Sequence, residues 1–166
     1  MLRLGITGGI GSGKTLVCSI LEHLGLPVYY ADQEARRLMN SSAELRSGVM
    51  DLLGKNAYKE GKLDRALVAS IVFKDPSLLD RLNSLVHPAV HRDFERWAGE
   101  QEGCSWVVEE AALLFESGAS EHMDLNVQVY APEDIRLQRV MQRDKMSAGE
   151  VRKRMSRQMN EERKRE

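Results

Sequence analysis

Gly8-Gly9-Ile10-Gly11-Ser12-Gly13-Lys14-Thr15 decides how this 166-residue chain is read. The octet satisfies G-x-x-x-x-G-K-S/T, and its flanks are those the motif requires. Before it, Leu2-Arg3-Leu4-Gly5-Ile6-Thr7 reads as a short buried strand; after it, Leu16, Val17, Ile20, Leu21 and Leu24 recur at helical spacing. Glycines allow backbone N–H groups to turn inward around phosphate oxygens, and the N-terminal end of the following helix adds a partial positive charge. On this reading Gly9, Gly11, Ser12 and Gly13 wrap the phosphates of a nucleoside triphosphate. Lys14 reaches the β- and γ-phosphates, and the Thr15 hydroxyl ligates Mg2+.

Working outward, Gly25 and Pro27 end the first helix, Val28-Tyr29-Tyr30-Ala31 forms a second brief strand, and Asp32 is placed to cap the next helix. From Ser42 to Gln101 the apolar spacing is helical throughout, without strand alternation. Asp75-Pro76 and His87-Pro88 each put proline at a first helical position, so each is expected to open a helix. Strand character returns at Ser105-Trp106-Val107-Val108-Glu109 and at Leu125–Tyr130, with a helical stretch expected after each. Strands separated by helices imply parallel crossovers. The expected fold class is α/β: a three-layer P-loop fold with an open, mostly parallel sheet of four strands, whose ligands gather at the strands' carboxyl ends. A single domain is expected, with a core of 1–40 and 104–135, a helical substrate-binding insertion of about 42–101, and a basic helical lid of about 136–166.

Charge supports a division of labour. The stretch Arg136–Glu166 holds eleven Lys/Arg against five Asp/Glu and carries +6, leaving −7 on the remainder of a chain whose formal net charge is −1. Such an arm binds nucleic acid, closes over a polyphosphate, or is a solvated helix surface. Interleaved aromatics are missing from it, which argues against nucleic acid as a partner. Arg136, Arg139 and Arg143 fall on one helical face, either gripping the triphosphate or facing solvent. Ser147-Ala148-Gly149-Glu150 is a capping-box pattern opening a segment whose apolar stripe is Val151, Met155 and Met159, little surface for a docked helix to bury. Cys18 and Cys104 match no metal or disulfide spacing, and no run of eighteen apolar residues occurs. A reducing cytoplasm and no membrane partner are expected.

A phosphate loop alone leaves the fate of the γ-phosphate open. The guanine-reading N-K-x-D is absent, and Asp51-Leu52-Leu53-Gly54 matches D-x-x-G only in letters, because it closes a helical segment. A kinase needs a group to accept the acceptor hydroxyl's proton, and Asp32 at the end of the second strand is suitably located, as a base, a helix cap or both. Glu109 and Glu110, ending the third strand, read either as part of the magnesium shell or as surface carboxylates.

Taken together these residues resemble dephospho-CoA kinase along the whole chain. Gly5–Thr15 is similar to that family's extended phosphate loop, and Tyr30-Ala31-Asp32 stands where the family has D-A-D, which implies Asp32 as general base. Gly61-Lys62-Leu63-Asp64-Arg65, Val72-Phe73, Leu82-Asn83 and Val86-His87-Pro88 are similar in type and order to its CoA-binding helical region; by resemblance Arg65 and His87 are candidate substrate contacts, beside surface and structural readings of each. Glu110-Ala111-Ala112-Leu113-Leu114-Phe115-Glu116 resembles D-x-P-L-L-F-E, with Glu110 for aspartate and Ala112 for proline, and implies Glu110 as a substrate-site residue. Arg136–Asp144, with Arg154 and Gln158, resembles the lid, and implies Arg139 and Arg143 as ATP ligands. The resemblance implies ATP and dephospho-CoA as substrates, Mg2+ as cofactor, and transfer to the ribose 3′-hydroxyl. Another small-molecule P-loop kinase, or a regulatory nucleotide-binding module without transfer activity, are the alternatives. The family's usual closing strand, A-D-Y-V-I-x-N, and terminal helix have no counterpart in this sequence.

Overall fold

The computed structural model describes residues 1–165. In chain order the elements are β1 (Leu2–Thr7), α1 (Lys14–His23), β2 (Val28–Tyr30), α2 (Ala31–Ser41), α3 (Ala43–Leu53), β3 (Tyr58–Lys59), β4 (Lys62–Leu63), α4 (Arg65–Val72), α5 (Pro76–Gly99), β5 (Trp106–Glu110), β6 (Leu125–Gln128), α6 (Glu133–Asp144) and α7 (Ala148–Met155). They fall into two compact units: Met1–Tyr30 with Ala98–Glu166, of which Glu166 lies outside the described residues, and Ala31–Trp97. The expected lid range therefore ends one residue beyond what the structure describes.

The first unit is built on a four-stranded sheet in the order β2-β5-β1-β6, every pairing parallel. The α/β fold class with a parallel sheet is thus observed. Ile6 of β1, Val108 of β5 and Cys18 of α1 form a buried cluster, with Leu4, Val17, Leu21 and Val28 packed against it. Strand β5, paired on both sides, buries Val107 and Val108 completely, which is why it reads as an apolar run rather than an alternation. Helix α1 ends as Gly25 adopts a φ of 87° and the Leu26 N–H donates back to the Leu21 carbonyl. After β5 the expected helix is replaced by turns and a 3₁₀ segment, Ala119–His122. At the other end of the unit Ser147 and Glu150 close the capping box of α7. Val151 is wholly buried, so this helix is docked more firmly than its short apolar stripe suggests.

The second unit is mostly helical, with two corrections to the sequence reading. A hairpin, β3 and β4, interrupts the helices: Glu60 and Gly61 both adopt positive φ (50° and 79°), as its two-residue turn demands. Strands of two residues are too short to display alternation. Second, α5 runs through Pro88 instead of starting there. Interior proline costs about 3 kcal/mol, but Val86, Ala89, Val90 and Phe94 around it are all buried. Full burial of a large apolar side chain contributes about 1.5–3 kcal/mol, so the flanking stripe outweighs the break. Asp93 joins α2 to α5 by accepting from Arg37 at 2.6 Å while also pairing with Arg96. Among the described residues no helix is long and apolar enough to cross a membrane.

Candidate active site

In the first unit the loop between β1 and α1 is shaped by backbone that only glycine tolerates. Gly11 has φ 82°, and a Cβ there would stand 2.6 Å from the Arg136 carbonyl oxygen. Gly13, at φ 108°, starts α1 without a side-chain cap. The Leu16 N–H already donates to the Gly13 carbonyl at 3.0 Å, whereas the amides that open a helix have no acceptor within it and suit an anion. Lys14, the first residue of α1, is buried; its ammonium donates to the Gly8 carbonyl at 2.7 Å and lies 3.8 Å from Glu110 at the end of β5. The Ser12 hydroxyl is buried and, among the described residues, has no hydrogen-bond partner, leaving it capacity for a phosphate oxygen. Thr15 is exposed one residue further along the first turn.

The basic residues of α6 divide by position. Arg139 donates to the carbonyls of Gly11 and Ser12, both at 3.3 Å, and so sits on the loop itself. Arg136 is buried, donating to the Ala131 carbonyl at 3.0 Å, with its guanidinium close beside Gly9. Arg143, one turn beyond Arg139, forks onto Asp144 at 2.7 and 3.1 Å, and this pairing holds the Asp144 carboxyl below its usual range. Beneath the loop, burial first and Glu110 second push the Cys18 thiol up to about 12, which makes it a packing group rather than a nucleophile. Burial and a hydrogen bond to Glu22 likewise push the Tyr30 phenol up to about 12.

The second unit carries the remaining candidates. Helix α2 starts at Ala31, so Asp32 lies exposed inside its first turn and not at the capping position expected for it. His87 is half-buried on α5: burial holds its imidazole below the usual value, while the Asp32 carboxylate pulls the other way, placing these two side chains in one electrostatic neighbourhood. Arg65 is the exposed first residue of α4, next to Asp64, which caps that helix by accepting from the Leu67 N–H. Lys14, Thr15, Glu110 and Arg139 are thus brought together in one unit, Asp32 and His87 in the other. The sequence reading missed the contact between Gln158 and the loop, where the Gln158 side-chain oxygen accepts from the Ile10 N–H at 2.8 Å. It also missed the Asp93 junction, for which the local signals are the i,i+3 spacings of Glu34 with Arg37 and of Asp93 with Arg96.

Among the described residues no three His, Cys, Asp or Glu side chains gather into a protein-built metal site. A magnesium ion carried by a triphosphate needs only one or two protein oxygens. The exposed Thr15 hydroxyl and the Glu110 carboxylate beside Lys14 fit that requirement.

Comparison with known proteins agrees with this geometry. The family model described as dephospho-CoA kinase matches residues 2–166. A dephospho-CoA kinase of Salinibacter ruber is 47% identical, with 100% of this chain and 85% of the relative covered. That of Porphyromonas gingivalis is 41% identical, covering 98% of this chain and 80% of the relative. Among solved structures, one from Thermus thermophilus matches with a TM-score of 0.87 and 37% identity over 99% of this chain and 83% of that one. A dephospho-CoA kinase from Campylobacter jejuni matches with a TM-score of 0.63 and 28% identity over 93% and 78%. A family match spanning all but the first residue, on a loop of this shape, leads to one conclusion: the chain belongs to the dephospho-CoA kinase family.

Proposed function

We infer that the chain transfers the γ-phosphoryl group of ATP to dephospho-CoA, forming coenzyme A, with the ribose 3′-hydroxyl as acceptor. The observation that carries the reading is the glycine loop ending in the buried Lys14, in a chain that matches this kinase family from end to end. Gly9, Gly11, Ser12 and Gly13 hold the phosphates through the backbone, and Lys14 follows the charge that shifts between β- and γ-oxygens. Thr15 and Glu110 would hold magnesium, which would supply charge neutralisation for the transferring phosphoryl group. Arg139 and Arg143 on α6 close over the triphosphate and keep water from it.

Asp32 accepts the proton of the acceptor hydroxyl. Its exposure in the first turn of α2 and the absence of a capping duty leave its oxygens available to a ligand. Arg65 and His87 contact dephospho-CoA, so that the helical unit is the acceptor's and the α6–α7 region is the lid. Catalysis is then mostly positioning and charge stabilisation. We place the reaction in the cytoplasm, with no nucleic-acid or membrane partner.

The test is ADP formation with dephospho-CoA, with AMP and with no acceptor. Acceleration by dephospho-CoA alone is the expected result. Faster turnover with AMP would assign another small-molecule kinase, and acceleration by neither would leave a nucleotide-binding module.

A further inference from the structure

The phosphate loop has an unequal grip on the rest of the protein. Its second limb, from Gly13 on, is continuous with α1 and inherits that helix's rigidity. Its first limb, Gly8-Gly9-Ile10-Gly11, is three-quarters glycine, the residue that loses most conformational freedom on ordering. Something outside the loop must hold that limb in shape before a ligand arrives.

The segment following α7 is built to do so. The Gln158 side-chain oxygen accepts from the Ile10 N–H at 2.8 Å, across 148 residues of sequence. Around this contact the segment is fastened at three further points. The Met159 N–H donates to Glu116 at 2.7 Å. The Gln128 side-chain amide, at the end of β6, donates to both the carbonyl and the carboxylate of Glu161 at 3.0 Å. The Lys164 ammonium donates to the Ala112 carbonyl at 3.4 Å and lies 3.5 Å from Glu116 and 4.0 Å from Glu161. The Lys164 side chain is 0% exposed. A lysine is almost never fully buried unless its charge is matched, and here a carbonyl and two carboxylates match it. A solvated basic tail would not place an ammonium there.

We propose that Gln158 and Lys164 are positioning residues for phosphoryl transfer: residues 156–165 form a strap, anchored by the buried Lys164 ammonium, through which Gln158 holds the Ile10 amide and preorganises the glycine limb for the triphosphate. Lys164 and Met159 fasten the strap to the stretch just after Glu110, so the strap ties the limb before Lys14 to the strand end facing Lys14. Preorganisation of this kind improves affinity by lowering the ordering cost at binding. The inference rests on the loop being the triphosphate site.

Steady-state kinetics on Gln158→Ala, Lys164→Met, the double variant and Lys14→Ala test it. Loss of one hydrogen bond of this type corresponds to roughly a three- to tenfold effect. Gln158→Ala and Lys164→Met are each expected to raise the KM for ATP by about that factor while the KM for dephospho-CoA stays put. Because the two residues act through one contact, the double variant is expected to match the worse single one. Additive effects, equal rises in both KM values, or a lowered melting temperature with unchanged KM for ATP would each overturn the strap. Should Lys164→Met fail to fold, amide exchange at Ile10 in Gln158→Ala decides: faster exchange supports the contact, unchanged exchange refutes it. Lys14→Ala separates the two levels. If it leaves ATP binding intact the loop assignment itself is wrong, whereas if it abolishes binding while Gln158→Ala has no effect, only the strap is.

Discussion

The two units hold their functional groups in opposite ways. In the sheet unit the loop is fixed from several sides: Arg139 on two of its carbonyls, Lys14 on a third, Gln158 on an amide. In the helical unit Asp32 and Arg65 stand exposed on the first turns of α2 and α4, and their placement depends on how the helices pack beneath them. A triphosphate is the same anion in every kinase, and backbone amides with one ammonium suffice to hold it. On the proposed reading an acceptor needs side chains of particular reach, and the exposed first turns of the helical unit supply them.

That contrast can be broken most severely through Phe94, wholly buried on α5 and stacked with Trp97 at 6.0 Å between ring centroids. Phe94→Ala is expected to cost about 3–5 kcal/mol in chemical denaturation. At temperatures where the variant remains folded, the KM for dephospho-CoA is expected to rise and that for ATP to hold. Equal movement of both constants would dissolve the distinction between the units. A smaller effect comes from His87. Its native value lies below 6.5 because of burial, so the unfolded chain binds the proton first as pH falls. Stability attributable to this group is therefore complete above about pH 6.5 and declines as pH drops through that value toward the lowered native one. Between pH 7 and 5.5 the wild type is expected to lose more of its melting temperature than His87→Asn; an identical decline would remove His87 from the account of the helical unit.

Legibility followed the same division. Strand β1, the glycine loop and α1 could be read residue by residue, because the motif constrains backbone and the flanking periodicities differ. The parallel sheet followed from strand character at Ser105–Glu109 and Leu125–Tyr130 alternating with helical spacing, and the strands are observed at Trp106–Glu110 and Leu125–Gln128. Asp32 was singled out by its place after β2, but the capping position expected for it is not observed, because α2 begins one residue earlier, at Ala31. Pro88 read as a helix start because proline is a local signal, whereas the burial that carries α5 through it is a tertiary one. The β3–β4 hairpin left no alternation to detect. Lys164 was hidden most completely: within Arg163-Lys164-Arg165 it is indistinguishable from a solvated charge, and only Ala112, Glu116 and Glu161, distant or local carboxyl and carbonyl groups, reveal it as an anchor.

The most direct test sets two variants side by side in calorimetric titrations with ATP and with dephospho-CoA, followed by a single-turnover assay. Lys14→Ala should lose ATP binding and retain dephospho-CoA binding. Asp32→Asn should retain ATP binding yet lose about 10²–10⁴-fold in the transfer step, the range for a removed general base. Lys14→Ala that still binds ATP, or Asp32→Asn that transfers at the wild-type rate, would contradict a donor held by the loop and an acceptor deprotonated by Asp32.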